Sequence, residues 1–163
     1  MKKKARKRVV MVSGGFDPIH IGHVRLMQEA KKLGDKLVVV LNNNNWFEVK
    51  GKPVFMNDKD RKEIIEALAC VDEVVITGHP KGTKDISVCD ELRKIRPHVF
   101  ANGGDRFADD IPEFTVCKEL GIDMVFNVGK GGKVRSSSEL LKKYANKNHL
   151  KLKNLKKKNK AKK

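Results

Sequence analysis

Two histidines in a glycine-rich turn are the residues of this sequence best suited to chemistry. The string GGFDPIHIGH, residues 14–23, places Gly14 and Gly15 ahead of His20 and His23. Glycines let the backbone turn sharply and approach a ligand, and the start of a helix offers free N–H groups to a phosphate. Since the histidines are three residues apart, their rings can converge there. The string predicts a phosphate site; surface histidines in an ordinary turn are the alternative.

Basic residues that follow the expected second strand form the next candidate group. Lys50 and Lys52 lie in a polar loop that is long enough to fold over bound phosphates. Arg61 lies on the helix after that loop. For the lysines the alternative is a solvated loop, and for Arg61 it is a surface arginine. We expect the two lysines to contribute positive charge to the phosphate site.

Small polar residues follow the expected fourth strand and open the last helix. These residues are Gly103, Gly104 and Asp105 after the strand, and Ser136, Ser137 and Ser138 at the helix. Two glycines permit close packing of a base or ribose against the main chain, and an aspartate can accept hydrogen bonds from them. Serines at a helix start supply hydroxyls and free N–H groups to an anion. A plain turn and an ordinary helix cap are the alternatives.

Apolar runs that alternate with amphipathic stretches predict the elements that position these residues. Parallel strands covered by helices give this rhythm, and ligands bind at the carboxyl ends of such strands. The predicted strands are 9–12, 36–41, 71–76, 98–101 and 122–128, and the predicted helices are 21–33, one from residue 57, 86–95, 112–120, and one from residue 137. The segment 42–56 is predicted to be irregular. The fold class is therefore a single α/β domain with a five-stranded, parallel, doubly wound sheet.

The positive charge of the chain lies at its two ends. Of 36 Lys and Arg residues, six lie in residues 2–8 and eleven in residues 142–163, which leaves 19 cations against 20 carboxylates between them. We expect a basic tail over 1–8, a near-neutral domain over 9–145 and a lysine-rich, disordered tail over 146–163. The three cysteines have neither CxxC spacing nor a local histidine partner, so neither a disulfide framework nor a zinc knuckle is indicated. No stretch predicts a membrane span or signal peptide, so a cytoplasmic location is expected.

Several of these motifs together resemble a known enzyme family. GGFDPIHIGH is similar to the signature of the HxGH nucleotidyltransferase superfamily, which includes cytidylyltransferases, heptose-phosphate adenylyltransferases and archaeal-type FAD synthetases. KKLGDKLVVVLNNN, DRKEIIEALACVDEVV, HVFANGGD and RSSSELL continue the likeness in the same order. The resemblance covers about residues 9–141 and implies a Rossmann-like sheet.

The resemblance implies transfer of a nucleoside monophosphate from CTP or ATP to a phosphorylated small molecule, with release of pyrophosphate and with Mg²⁺ as cofactor. It assigns catalysis to His20, His23, Lys50 and Lys52. The nucleotide-binding residues that it implies are Gly14, Gly15, Phe16, Asp17, His20, His23, Arg61, Gly103, Gly104, Asp105, Ser136, Ser137 and Ser138. Gly15 is a departure, because many relatives have Thr or Ser there. Whether Asp17 is structural or related to Mg²⁺ stays open, as do the base, the acceptor and a homodimeric state.

Two other functions compete with this interpretation. The first is a synthetase-like enzyme that forms an aminoacyl adenylate, because the HIGH tetrapeptide of residues 20–23 is shared with class I aminoacyl-tRNA synthetases. It is weakened because no anticodon- or acceptor-binding domain fits in 163 residues. A nucleic-acid-binding protein that acts through its basic tails is the second alternative. Lysine runs without interleaved aromatic residues provide charge but no stacking platform, so such contact with RNA would be non-specific and sensitive to salt.

Overall fold

A five-stranded parallel sheet forms the centre of the molecule. The computed structural model describes residues 7–104, 111–129 and 136–147. The strands are β1 (Val9–Gly14), β2 (Lys36–Leu41), β3 (Glu73–Ile76), β4 (Val99–Ala101) and β5 (Asp123–Val125). Their order across the sheet is β3-β2-β1-β4-β5, and every neighbouring pair is parallel. The predicted sheet is confirmed.

Helices cover both faces of the sheet. They are α1 (Ile21–Lys31), α2 (Asn44–Val49), α3 (Asp58–Glu66), α4 (Cys89–Ile95), α5 (Glu113–Leu120) and α6 (residues 137–147). On one face Met27 of α1 and Ile65 of α3 pack against alternate residues of the central strands. On the other face Leu92 of α4 and Val116 of α5 pack against the remaining strand residues. The fold is therefore doubly wound, as the sequence predicts.

The prediction of an irregular segment over 42–56 is wrong in part. Residues Asn44–Val49 form α2, and the side chain of Asn43 caps it by accepting a hydrogen bond from the backbone N–H of Trp46. Six residues are too few to display a helical period, so only the capping asparagine marks this helix in the sequence. Sequence analysis finds the start of α3 more easily, because the side chain of Asn57 caps it by accepting the backbone N–H of Asp60.

The strand order places one crevice at the carboxyl edge of the sheet. β1 pairs with β2 on one side and with β4 on the other, and the chain reverses its direction across the sheet at this point. Loops after adjacent strands separate at such a reversal and leave room for a ligand. Two of the loops with candidate residues, after β1 and β4, meet there. No helix in the described part of the chain is long and apolar enough to cross a membrane.

Candidate active site

The two histidines of the first loop are stacked on each other. Their ring centroids are 3.6 Å apart, and the ring planes differ by 21°. His20 is the N-cap of α1, where its Nδ1 accepts a hydrogen bond from the N–H of Gly22 at 3.1 Å. The Nδ1 of His23 accepts from the backbone N–H of His20 at 3.3 Å. The local capping geometry of α1 thus holds both imidazoles in one orientation.

These hydrogen bonds assign the protonation of both rings. A backbone N–H can only donate, so each Nδ1 is unprotonated and each neutral imidazole carries its proton on Nε2. Burial, and secondly the neighbouring His20, lower the pKa of His23 to about 3. His23 is consequently neutral at physiological pH. The pair presents Nε2–H donors without carrying two full positive charges.

Aromatic rings occupy the space that the two glycines leave. A Cβ at Gly14 would lie 2.9 Å from the ring of Phe16, and a Cβ at Gly15 would lie 2.6 Å from the ring of Phe47 in α2. Phe16 adopts a left-handed φ of 50°, is buried and meets the His23 ring edge to face at 5.0 Å. The glycines are therefore required by aromatic packing against the turn.

Arg61 is buried and ties three segments of the site together. Only 1% of the residue is exposed. Its Nη1 donates to the carbonyl oxygens of Gly15 at 2.6 Å and Asn42 at 2.8 Å, Nε donates to that of Met56 at 2.9 Å, and Nη2 donates to Asn44 Oδ1 at 2.9 Å. The alternative of a surface arginine is wrong. Arg61 presents its guanidinium to protein oxygens rather than to the crevice, which departs from the phosphate contact that the resemblance implies.

Asp17 holds the end of the lysine-bearing loop. Its two carboxylate oxygens accept the backbone N–H groups of Phe55 at 2.7 Å and Met56 at 2.9 Å. Mg²⁺ needs oxygen ligands in an octahedral set and is commonly held by one or two carboxylates together with substrate phosphates. The described residues bring together no group of three or more His, Cys, Asp or Glu suited to a metal. Both carboxylate oxygens of Asp17 thus hold the loop, and a contact of this residue with Mg²⁺ stays a prediction.

The lysines lie on the exposed turn that ends α2. Lys50 is the C-cap residue, and its Nζ lies 5.4 Å from the ring centroid of Trp46. Trp46 is itself fixed, because its indole N–H donates to the carbonyl oxygen of Ile86 at 3.0 Å. Lys52 is exposed and donates its backbone N–H to Phe47. The structure thus gives Lys50 an aromatic support that sequence analysis did not find.

The remaining candidate segments approach α1 and the loop before it. A Cβ at Gly103 would lie 3.0 Å from Leu26 of α1, whereas Gly104 has a φ of 72°, the left-handed region that favours glycine. The hydroxyl of Ser137 donates to the carbonyl oxygen of Pro18 at 2.9 Å. Ser136 and Ser138 flank it at the start of α6, and Asp105 lies outside the described residues. Gly103 therefore lies beside α1, and Ser137 lies beside the loop that precedes this helix.

Sequence analysis missed three residues that support this site. Phe47 fills the space beside Gly15, and the ring of Trp46 lies beneath the ammonium group of Lys50. Asn42, at the end of β2, donates its N–H to the carbonyl oxygen of Gly14, and its side-chain oxygen is buried without a partner in the described part of the chain. The run of four asparagines was visible in the sequence, but nothing in it indicates which one is buried.

Comparison with known proteins identifies the family. A family model described as cytidylyltransferase-like matches residues 11–149. FAD synthase of Picrophilus torridus is 30% identical over 133 residues, which cover 80% of this chain and 91% of that protein. FAD synthase of Pyrococcus horikoshii is 40% identical over 120 residues, which cover 73% of this chain and 78% of that protein. The bifunctional protein HldE of Streptomyces coelicolor is 38% identical over 136 residues, covering 82% of this chain and 27% of that protein.

A solved structure has the same architecture. The crystal structure of the lipopolysaccharide core biosynthesis protein from Thermoplasma volcanium matches with a TM-score of 0.63 and 25% identity. The match covers 77% of this chain and all of that one. Taken with the family model and the relatives, it leads to one conclusion: this chain belongs to the cytidylyltransferase-like family of nucleotidyltransferases.

Proposed function

We propose that this protein transfers AMP or CMP from ATP or CTP to the phosphate of a small molecule, with its histidine pair at the reacting triphosphate. The reaction class follows from membership of the family: it is nucleotidyl transfer with release of pyrophosphate. An oxygen of the acceptor phosphate attacks the α-phosphorus, the bond from that phosphorus to the bridging oxygen breaks, and pyrophosphate leaves. Because a phosphate monoester is already mostly ionised near neutral pH, the attack needs no general base.

The stacked histidines are the observation that carries this proposal. His20 and His23 each accept a backbone N–H at Nδ1, so each neutral ring carries its donor proton on Nε2. Oriented donors stabilise a transition state most where negative charge accumulates, and here that place is the triphosphate. The low pKa of His23 keeps its ring neutral, so the donor is present throughout the physiological pH range.

The other motifs take supporting roles in the proposal. Lys50 and Lys52 supply positive charge to the phosphates from the turn after α2. The residues proposed to bind the nucleotide are Gly14, Gly15, Phe16, Gly103, Gly104, Asp105, Ser136, Ser137 and Ser138. The bonds of Arg61 and Asp17 to neighbouring backbone support an indirect role for both, which is to hold the loops around the triphosphate in place.

The names of the relatives suggest the first substrates to test. FAD joins a flavin mononucleotide to AMP, so the matches to proteins named FAD synthase favour ATP as the nucleotide and a flavin phosphate among the acceptors. CTP and sugar or polyol phosphates form the second set. Mg²⁺ is proposed to arrive with the triphosphate. The cytoplasmic location, the tail boundaries at residues 8 and 146, a homodimer and RNA contact through the tails stay predictions.

A matrix of the four nucleoside triphosphates against phosphorylated acceptors, with pyrophosphate release as readout, tests the proposal. We expect one pair to give turnover, and His20→Ala or His23→Ala to lower it at least about a hundredfold, the cost of losing one preorganised donor. Gln28→Ala, an exposed change on the same helix, is the matched control and should leave turnover unchanged. A folded variant lacking both histidines that releases pyrophosphate at the parental rate would refute the assignment.

A further inference from the structure

The side chain of Asn42 has a buried oxygen that the fold leaves without a hydrogen bond. Asn42 is 5% exposed. In the described part of the chain its Oδ1 is the one buried side-chain nitrogen or oxygen that has no hydrogen-bond partner. Such atoms are rare in native proteins, because burial removes them from water and nothing replaces the lost hydrogen bond. Asn42 is therefore a position where a polar group is kept at a cost in stability.

The backbone of Asn42 fixes the residue beside the glycine turn. Asn42 directly follows β2, and its N–H donates to the carbonyl oxygen of Gly14 at 2.9 Å. Its own carbonyl oxygen accepts from Nη1 of Arg61 at 2.8 Å, and the same nitrogen donates to the carbonyl oxygen of Gly15 at 2.6 Å. Neighbouring strands of a sheet lie about 4.8 Å apart. The side chain of Asn42 therefore begins one strand spacing from the turn that is proposed to bind the triphosphate.

The position of Asn42 across the sheet favours the acceptor, rather than the nucleotide, as its partner. The base and ribose are proposed to pack on Gly103 and Gly104, which follow β4, and β4 pairs with one side of β1. Asn42 follows β2, which pairs with the opposite side of β1. In phosphoryl transfer the attacking and leaving oxygens lie roughly in line on opposite sides of the phosphorus. With the nucleotide on the β4 side of the turn, the acceptor approaches from the β2 side, where Asn42 lies.

The unpaired atom is an acceptor, so its partner must carry a hydrogen-bond donor. An ionised phosphate has no proton to donate, whereas a hydroxyl has one. The sugar, polyol and flavin phosphates considered above all carry hydroxyls on the chain that bears the phosphate. No hydrogen bond holds Oδ1, and the terminal torsion of asparagine is broad, so a small rotation presents this oxygen to a ligand. We propose that Asn42 is a specificity-determining residue, which accepts a hydrogen bond from a chain hydroxyl of the phosphorylated acceptor; this role rests on the proposed nucleotidyl transfer.

Paired ligands that differ only in their hydroxyls test this role in the full-length protein. Flavin mononucleotide is compared with the analogue in which a phosphopentyl chain replaces the phosphoribityl chain, and glycerol phosphate is compared with propyl phosphate. Calorimetry measures the dissociation constants with α,β-methylene ATP present, because this nucleotide cannot release pyrophosphate. We expect one hydroxylated ligand to bind at least about tenfold more tightly than its counterpart. Asn42→Leu, which removes the acceptor and keeps a similar volume, should lower this ratio at least about fivefold.

Urea unfolding supplies a second readout that needs no ligand. Asn42→Leu removes a buried acceptor that has no donor and leaves both backbone hydrogen bonds of residue 42 in place, so its urea midpoint should rise. Asn45→Leu is the matched control from the same run of asparagines. The Nδ2 of Asn45 donates to the carbonyl oxygen of His79 at 2.9 Å, so this midpoint should fall while the ligand preference is unchanged. If a trapped water is the partner of Asn42 instead, Asn42→Leu lowers the midpoint and keeps the preference.

The outcomes separate failure of this role from failure of the proposed function. Equal binding of both members in each ligand pair by the parent, an unchanged preference in folded Asn42→Leu, or a lowered urea midpoint in this variant would each overturn the role of Asn42. Asn42→Ala, which removes the amide without adding volume, takes the place of Asn42→Leu if that variant fails to fold, and it must lose the preference in the same way. A hydroxylated ligand that binds through Asn42 but gives no pyrophosphate with ATP or CTP contradicts the nucleotidyl transfer alone.

Discussion

Replacement of Arg61 should destabilise the protein more than any exposed arginine does. Arg61→Leu leaves the carbonyl oxygens of Gly15, Asn42 and Met56 without their donor, and each unsatisfied buried acceptor costs about 1–3 kcal/mol. These costs are not additive, because water reaches part of the cavity that the shorter side chain leaves. Loss of one partner from a buried ionic group costs about 3–5 kcal/mol in total. We expect the free energy of unfolding to fall by about that amount.

The electrostatic surroundings of Arg61 support the same magnitude. Burial lowers the pKa of its guanidinium, whereas the nearby carboxylates of Asp17 and Asp58 raise it. Removal of the cation would leave both carboxylates without its compensating charge. Such a loss approaches the total stability of a small domain, so Arg61→Lys is the milder companion. It keeps the charge, but its donors lie on one nitrogen and cannot reach all four oxygens that Arg61 bonds from three nitrogens.

Urea unfolding followed by far-ultraviolet circular dichroism measures this effect. Arg93→Leu is the matched control, since Arg93 is half exposed and its contact with Glu119 is 3.9 Å long, so its loss should cost no more than about 1 kcal/mol. Arg61→Lys should fall between the two and raise the KM for the triphosphate, because the Gly15 turn loosens. If Arg61→Leu loses less than about 1 kcal/mol, Arg61 does not hold the loops together and the structural role assigned to it is refuted.

Three further predictions follow from the contacts of the site. The pKa of His23 is about 3 in the folded protein and about 6.5 in the unfolded chain, so between these values only the unfolded chain binds the proton. The free energy of unfolding is therefore unaffected above pH 6.5 and falls by up to about 1.4 kcal/mol per pH unit towards pH 3. A His23→Gln variant whose urea midpoint falls by the same amount would contradict this. Gly15→Thr should destabilise by about 1–3 kcal/mol against the ring of Phe47, and a double-mutant cycle with Phe47→Leu should recover part of the loss; strict additivity would exclude the contact. Trp46→Leu should raise the KM for the triphosphate severalfold, as Lys50→Ala does, and the double variant should be no worse than Lys50→Ala in a pyrophosphate assay.

The sequence predicts the fold well because the fold is set by local pattern. Continuous apolar runs indicate strands buried on both faces, and Lys36–Leu41 is a strand with the predicted bounds. The start of α3 is also marked by a local pattern, because the side chain of Asn57 caps the helix. Helix α2 was not predicted, because its six residues are held by contacts with the loop after β3. One of these is the hydrogen bond from the indole N–H of Trp46 to the carbonyl oxygen of Ile86. Those contacts join residues 40 positions apart, which no local pattern records.

The sequence predicts the histidine pair but not what surrounds it. His20 and His23 lie within one helical turn, so their spacing alone brings the rings together. Arg61 and Gly15 are 46 positions apart, and their hydrogen bond depends on the path of two strands and a helix. The side chain of an arginine is normally exposed, so composition predicts a surface or ligand-facing position. Only the packed structure shows that its donors are consumed by the protein.

Helix α2 makes the Gly15 turn and the lysine turn parts of one unit. Phe47 occupies the space that a side chain at Gly15 would need, so any contact of this position with a phosphate is made by backbone alone. The same short helix ends at Lys50, whose ammonium rests on Trp46. A displacement of α2 would therefore move the phosphate turn and the lysine together. Because Phe47 leaves no room for a side chain at position 15, we propose that Lys50, which caps the end of the same helix, supplies charge to the phosphates there.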